Sequence, residues 1–341
     1  MRTSFVSRAI LFSVLLGMCA IGYSQPRATQ DPLPRTFAFA LIGDLGYLPE
    51  QEPWLANLLT ELQQTPLAFV VHVGDLGAPR FGSCTNEFWT RRLAQFQASA
   101  HPFIYTPGDN EWTDCHEKAG APGYEPLERL ARLRTVFFPS DQSLGQRTLP
   151  LTRQSQTTDP VLAKYRENAQ WTYSGVTFMT VHVVGSNNGL GRTPEGDAEY
   201  AERNTANLAW LRQGFAQARA NQSRALMIIQ QANIFPGFPP FPGQPDVQPS
   251  GFTDFRALLE QETIAFGKPV VLVHGDSHFF RIDKPLGPRG REVTTPIIEN
   301  FTRVETFGQA NHHWVHVTVD VDDPQVFTFR QRIVVPNVVK R

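Results

Sequence analysis

The sequence is poor in cysteine and carries no excess of charge. Of its 341 residues, three are cysteine, and 31 lysine and arginine residues nearly balance 32 aspartate and glutamate residues, for a formal net charge of −1. Internal repeats and blocks of like charge are absent. This balance gives no electrostatic reason to expect a nucleic acid partner, and the length and uniform composition favour a single domain.

Long apolar runs are also absent, with one exception at the N-terminus. Two arginines flank the start of a run of apolar and small residues at positions 9–21, and further small residues follow it. The run is typical of a secretory signal peptide and is shorter than the ~20 residues that a membrane helix needs. We expect a signal peptide over residues 1–24. Its removal would leave residues 25–341 as one secreted or periplasmic domain without a membrane span.

The small number of cysteines has a consequence for the exported chain. Cys19 lies in the predicted signal peptide, so the mature chain would keep Cys84 and Cys115. In an oxidising compartment two cysteines suggest one disulfide. The alternative is a pair of buried free thiols.

Hydrophobic periodicity predicts alternating strands and helices in the first half of the chain. Beyond His278 the pattern changes to short β segments, which predicts a second sheet built partly from this tail. Residues 187–199 are rich in glycine and predict an irregular loop, as do the proline- and phenylalanine-rich residues 235–249. The predicted strands of the first half cover residues 36–43, 67–73 and 101–106, and the predicted helices cover residues 49–64, 86–98 and 125–138.

Four of the apolar runs end in a Gly-Asp pair. Glycine and aspartate are ordinary turn residues, so one such pair would indicate only a loop. The recurrence of the pair at four predicted strand ends is a pattern that turn formation alone does not explain. The pairs are Gly43-Asp44, Gly74-Asp75, Gly108-Asp109 and Gly275-Asp276.

The spacing of the first three pairs predicts that their carboxylates converge. Asp44, Asp75 and Asp109 follow predicted strands that lie roughly 30 residues apart, as in successive strand–helix–strand units. In open α/β sheets the ligand site lies beyond the carboxyl ends of the strands. Carboxylates so close together cannot all stay ionised without a cation between them, so the pattern predicts a divalent metal.

This ordered set of motifs resembles that of the calcineurin-like metallophosphoesterase superfamily. That family carries Gly-Asp-x-(His or Gly), Gly-Asp, Gly-Asn-His-(Glu or Asp), a lone His and Gly-His-x-His, each at a strand end. The resemblance covers nearly the whole mature chain, and the first motif looks most like the purple acid phosphatase branch. It implies an α/β fold, a four-layer αββα sandwich of two mixed β-sheets flanked by helices. The matching segments are Gly43-Asp44-Leu45-Gly46, Gly74-Asp75, Gly108-Asp109-Asn110-Glu111, Gln231 and Gly275-Asp276-Ser277-His278.

The resemblance also implies a set of ligands for two metal ions. Asp75 would bridge the two ions, with Asp44 and His278 on one side. Asn110 stands where the family keeps its catalytic histidine, and we count it with both the ligands and the catalytic residues. The implied ligands are Asp44, Asp75, Asp109, Asn110, Gln231, Asp276 and His278.

Several of these positions depart from the family pattern. Asp109, Gln231 and Asp276 stand where the family has Asn, His and His. Carboxylate and amide oxygens favour Mn²⁺, Mg²⁺ or Ca²⁺ over Zn²⁺. The second motif also lacks the tyrosine of the purple branch, because Ala78 and Pro79 follow it, so we expect no tyrosinate–iron centre.

Candidate proton donors lie close to the ligands in the sequence. Asn110 cannot titrate, so protonation of a leaving group would fall to Glu111, His116 or His274. For each of these three residues the alternative is a structural role.

Two arginines follow the last motif and are candidates to bind a phosphate. Arg281 and Arg303 could each offer two parallel hydrogen bonds, although an ordinary surface position is the alternative. Together the motifs predict an exported metal-dependent phosphoesterase that acts on a small phosphorylated monoester or diester. The alternative is an exported protein of the same fold that binds a metal or ligand without turnover, or whose site has decayed.

Overall fold

The computed structural model describes residues 33–116, 123–157, 159–235, 249–287 and 297–338, together with Met1. The strands and helices reported below belong to one compact unit that begins at Pro34. Apart from Met1, the predicted signal peptide lies outside the described residues and stays a prediction. Most of the proline-rich segment 235–249 lies outside them as well.

Two mixed β-sheets carry the fold. The first has the strand order β12-β11-β1-β2-β3, and the second has the order β4-β5-β6-β7-β8-β10-β9. The described strands are β1 (Thr36–Ile42), β2 (Val70–His72), β3 (Phe103–Tyr105), β4 (Thr152–Arg153), β5 (Ala169–Tyr173), β6 (Val176–Thr180), β7 (Leu226–Ile229), β8 (Val270–His274), β9 (Arg281–Asp283), β10 (Phe301–Glu305), β11 (Trp314–Asp320) and β12 (Phe327–Arg332).

Helices cover the outer face of each sheet. In the first sheet α1, α2 and α3 provide this cover, and in the second α5 and α6 do so. No helix among the described residues is both long and apolar enough to cross a bilayer. The helices are α1 (Glu52–Gln64), α2 (Asn86–Gln97), α3 (Pro126–Phe137), the single turn α4 (Gly185–Asn188), α5 (Pro194–Ala220) and α6 (Thr253–Phe266).

The alternation of side chains along β1 shows why the layers stack in this way. Phe37, Phe39 and Leu41 pack into the core between the sheets, whereas Ala40 and Ile42 pack against the helices. Successive residues of a strand point to opposite faces, so a strand that is apolar at every position needs cover on both sides. The predicted sandwich of two mixed sheets flanked by helices is confirmed.

One detail of the fold differs from the sequence prediction, and the prediction that the C-terminal tail forms part of the second sheet is confirmed for part of the tail. The helix α5 begins at Pro194, inside the segment predicted as an irregular loop. Thr193 caps it by accepting a hydrogen bond from the Gly196 backbone N–H at 3.0 Å, and proline then occupies the first turn. The C-terminal hairpin of β11 and β12 joins the first sheet, and only β9 and β10 of the tail extend the second.

The predicted disulfide is confirmed. Cys84 and Cys115 are bonded, and 31 positions separate them in the sequence. The bridge joins the loop after β2 to the loop after β3. Both sulfurs also lie near the Asn110 carbonyl oxygen, at 3.5 Å for Cys84 Sγ and 3.7 Å for Cys115 Sγ.

We therefore expect the double variant Cys84→Ser/Cys115→Ser to lose about 3–4 kcal/mol of unfolding free energy, because the bridge restricts the unfolded chain. Urea unfolding of the variant and the wild type measures the difference. Thiol titration of residues 25–341, denatured and unreduced, should find no free thiol, and two thiols per chain would contradict the assignment.

Candidate metal centre

The carboxyl ends of four strands, β1, β2 and β3 in one sheet and β8 in the other, bring the Gly-Asp pairs together. Strands β1, β2 and β3 are parallel neighbours in the first sheet, and β7 and β8 are parallel neighbours in the second. Asp44, Asp75 and Asp276 all have positive φ angles, of 56°, 59° and 75°. Such backbone conformations cost of order 1–3 kcal/mol each in a non-glycine residue and are concentrated at functional sites. The turns direct the chain away from the sheets at this edge.

The first cluster consists of Asp44, Asp75 and His278. One ligand atom from each lies within 4.8 Å of the others. Asp44 Oδ1 accepts a hydrogen bond from the Asp276 backbone N–H at 2.9 Å and lies 3.4 Å from His278 Nε2. Asp44 Oδ2 is buried without a hydrogen-bond partner among the described residues. A buried carboxylate oxygen without a partner is costly, and a cation would satisfy it.

Tyr47 lies in the same cluster and is not among the ligands predicted from the sequence. Its hydroxyl donates to Asp75 Oδ2 at 2.6 Å and lies 3.1 Å from His278 Nε2. The Asp44 Oδ1 atom is 3.5 Å away. The signal was present in the sequence, because Tyr47 directly follows the first motif.

The second cluster consists of Asp109 and Asp276, and it closes against Gly185. A Cβ atom on Gly185 would lie 2.5 Å from Asp109 Oδ2 and 2.7 Å from Asp276 Oδ1. Gln231 borders this cluster. Its Nε2 donates to Asp109 Oδ1 at 3.2 Å, and its Oε1 accepts from the Gly185 N–H at 2.6 Å. Of the predicted ligands, Gln231 is thus already engaged at both ends of its amide.

The turn α4 begins at Gly185 and holds it in place, and this turn was not predicted from the sequence either. Ser186, Asn187 and Asn188 have φ angles of 51°, 56° and 59°, in the left-handed region that asparagine tolerates. Asn188 fixes the turn, because its Oδ1 accepts from the buried Arg203 at 2.5 Å. The Gly-Ser-Asn-Asn sequence after an apolar run was the available signal.

The electrostatics of the two clusters fit a cation. Burial first, and then the charges of Asp109 and Asp44, raise the pKa of Asp75 well above its usual value. Burial, and then the charges of Asp114 and Asp276, also raise the pKa of Asp109 well above its usual value. The pKa of Asp276 rises to about 7, chiefly through burial. Divalent cations would offset both the burial and the repulsion, so the donor set of carboxylates, imidazole and phenol suits such ions.

The Glu111 side chain holds the neighbouring backbone, and the Asn110 backbone contacts the Asp75 carboxylate. The Glu111 carboxylate accepts from the N–H groups of Gly108 at 2.6 Å and Asp75 at 3.2 Å, and also from Leu76. Burial raises the pKa of Glu111 to about 7, against these hydrogen bonds, which lower it. The Asn110 backbone N–H lies 3.3 Å from Asp75 Oδ1. Their catalytic roles stay predictions.

The two candidate histidines differ in exposure. His274 is fully buried, with Nδ1 2.8 Å from the Gly275 carbonyl, and burial followed by the charge of Arg303 lowers its pKa to about 3. The ring is therefore neutral. His116 is exposed, and its Nδ1 lies 2.9 Å from the Thr113 carbonyl.

The two candidate arginines each bind an internal carboxylate. Arg281 Nε donates to Glu305 Oε2 at 2.6 Å. Arg303 is fully buried, and its Nε donates to Asp283 Oδ1 at 2.7 Å. A phosphate would compete with these ion pairs.

Comparisons with known proteins agree with this architecture. No protein-family model matches the sequence, and no curated protein matches it. The structure is similar to that of a dimetal phosphatase from Danio rerio, with a TM-score of 0.51 and 12% sequence identity over 89% of this chain and 97% of that one. At this identity the likeness concerns the fold alone, and it agrees with the fold that the motif resemblance implies.

The closure at Gly185 gives a prediction about metal affinity. We expect Gly185→Ala to lower Mn²⁺ affinity at least about tenfold, because the new Cβ displaces the carboxylates of Asp109 and Asp276. Equilibrium dialysis measures the affinity. Gly196→Ala, in the first turn of α5, is the matched control and should bind as the wild type does. Equal Mn²⁺ affinity in Gly185→Ala would show that the second cluster does not hold the ion.

Proposed function

We propose that this protein is an exported metal-dependent phosphoesterase. The observation that carries the proposal is the meeting of four carboxylates at adjoining strand ends, with Asp44, Asp75 and Asp109 buried and Asp276 half-buried, and with one oxygen of Asp44 left without a partner among the described residues. The similar fold of a protein described as a dimetal phosphatase supports the same reading.

The clusters suggest how two ions would be held. Asp75 would touch both ions. The first ion would add Asp44 and His278, and the second would add Asp109 and Asp276, with Gln231 and Asn110 at its border. When bound, divalent ions supply Lewis acidity toward the phosphoryl oxygens and lower the pKa of water.

The chain's own residues would position the substrate and move protons. Of the three candidate donors, Glu111 and His274 are buried, and only His116 is exposed, so we assign the protonation of the leaving group to His116. Asn110 is partly exposed beside Asp75 and could orient a phosphate oxygen through its amide. Arg281 stays a candidate for phosphate binding, at the expense of its pair with Glu305.

Export is proposed from two features. The first 24 residues have the pattern of a signal peptide, and the bridge between Cys84 and Cys115 fits an oxidising compartment. The exported protein would then bind its substrate, a small phosphorylated monoester or diester, outside the cytoplasm.

One observation favours a second candidate, an exported metal- or ligand-binding protein without turnover. Asn110 cannot titrate and stands where a catalytic histidine is expected, while Glu111 accepts three backbone hydrogen bonds. Metal binding without hydrolysis would identify this alternative.

Metal replacement tests the proposed function. After chelation, we expect Mn²⁺ or Mg²⁺ to restore hydrolysis of a chromogenic phosphomonoester or phosphodiester better than Zn²⁺, because the donors are mostly oxygens. Restoration by Zn²⁺ alone would contradict the assigned ligands. Bound metal without hydrolysis of either ester would favour the second candidate.

Asp75 gives the sharpest single substitution. Asp75→Asn should lose metal and turnover but keep its fold, because it removes the charge shared by both clusters and preserves the shape. A residue that only caps a turn would instead cost about 1 kcal/mol and leave turnover unchanged. Metal content, turnover and Tm are measured on this variant and on the exposed control Asp159→Asn. Wild-type turnover in folded Asp75→Asn would refute the mechanism.

A further inference from the structure

Phe279 is an exposed aromatic residue next to the first cluster. It directly follows His278 in the chain, and 48% of its surface is exposed. A single exposed apolar side chain is ordinary in a folded protein, so its surroundings must show whether the ring is placed to bind a ligand. Ligand sites combine a few polar groups with apolar and aromatic side chains, and Phe279 supplies an aromatic ring directly after the imidazole of this cluster.

The backbone of Phe279 is held by a buried carboxylate. The Phe279 N–H donates to Glu305 Oε1 at 3.0 Å, and Arg281 Nε donates to Glu305 Oε2 at 2.6 Å. Glu305 is fully buried and ends β10, which pairs in parallel with β8. The carboxylate that anchors Phe279 therefore lies at the same edge of the sheet as the Gly-Asp pair that follows β8.

The next residue is held from the other side. The Phe280 ring stacks on Phe307, with the centroids 4.5 Å apart and the planes at 10°, and both rings pack against the core between the sheets. A Cβ on Gly308 would lie 2.8 Å from the His278 Cα, so the chain after β10 lies directly against His278. The backbone is thus restrained on both sides of Phe279, while the Phe279 ring itself stays exposed.

The Phe279 ring also has a cation beside it. The Arg281 guanidinium carbon lies 5.8 Å from the ring centroid, within the range of a cation–π contact. The ion pair with Glu305 restrains this guanidinium in turn. A ring that is fixed in this way can stack against a flat group with little further loss of conformational freedom, which favours binding.

We propose that Phe279 determines the class of substrate by stacking against a planar aromatic group in the organic part of the phosphate ester. The inference rests on the proposed function, because it needs a phosphoryl group bound at the first cluster, next to His278. It adds the chemical class of the organic group, which the Gly-Asp motifs do not indicate. An aliphatic group of the same size would bind more weakly, because it cannot lie flat on the ring.

Three phosphonates with the same charged head test this assignment without turnover: methylphosphonate, benzylphosphonate and cyclohexylmethylphosphonate. Each is titrated into the Mn²⁺-loaded protein, and the relaxation of the ligand's phosphorus nucleus gives the affinity, because bound Mn²⁺ accelerates the relaxation of a nearby nucleus. We expect the wild type to bind benzylphosphonate about tenfold more tightly than methylphosphonate and at least about threefold more tightly than cyclohexylmethylphosphonate.

Substitutions of Phe279 then locate the aromatic contact. Phe279→Ala should bind benzylphosphonate about tenfold more weakly than the wild type, with unchanged Mn²⁺ content and methylphosphonate affinity, and Phe279→Tyr should keep the preference. Phe81→Ala is the matched control. Phe81 is also 48% exposed, lies in the short turn Pro79–Phe81 after the second motif, and has the Arg80 guanidinium carbon 5.1 Å from its ring centroid. This control should bind all three phosphonates as the wild type does.

Several results would overturn the assignment. They are equal benzylphosphonate affinity in Phe279→Ala and the wild type, an equal loss of methylphosphonate affinity in Phe279→Ala, loss of the preference in Phe279→Tyr or Phe81→Ala, and a wild type that binds the benzyl and cyclohexylmethyl compounds equally well. Mn²⁺-loaded wild-type protein that binds none of the three phosphonates would instead contradict the proposed function, and the inference with it.

Discussion

Mutual repulsion among four carboxylates, three of them buried and one half-buried, is the constraint on which this structure depends. Asp44, Asp75, Asp109 and Asp276 meet at one edge of two sheets, and the pKa values of the last three are raised by burial and by neighbouring charge. Such groups stay together only when protons or cations neutralise them. The unsatisfied oxygen of Asp44 favours cations.

The surrounding backbone leaves room for the carboxylates and little else. A Cβ on Gly275 would overlap Asp44 Oδ2, and one on Gly108 would overlap Asp75 Oδ1. Gly185 does the same for the second cluster. Glycine at these places lets the chain approach the carboxylates closely, and the disulfide and Arg92 then tie the loops that carry them. These contacts restrain the backbone at the site.

The features of the fold and site that could be predicted from the sequence are those that depend on the local pattern of residues. The alternation along β1 and the Gly-Asp strand ends follow from neighbouring residues, and parallel strands must end at a common edge. Tyr47 was missed because its place depends on the turn at Gly46, which is held by Arg92, 46 residues after Gly46 in the chain. The start of α5 at Pro194 was readable from its cap, but the glycines before it favoured a loop. The sheet joined by the C-terminal hairpin is set by tertiary packing, which no local signal encodes.

The central claim is that cations occupy the two clusters, and locating them tests it most directly. An anomalous difference map from crystals of the Mn²⁺-loaded protein would show where the ions lie. The account predicts one peak among Asp44, Asp75 and His278, and a second among Asp75, Asp109 and Asp276, with Asp75 touching both. A map without a peak at this edge, or with Mn²⁺ bound only elsewhere, would contradict it.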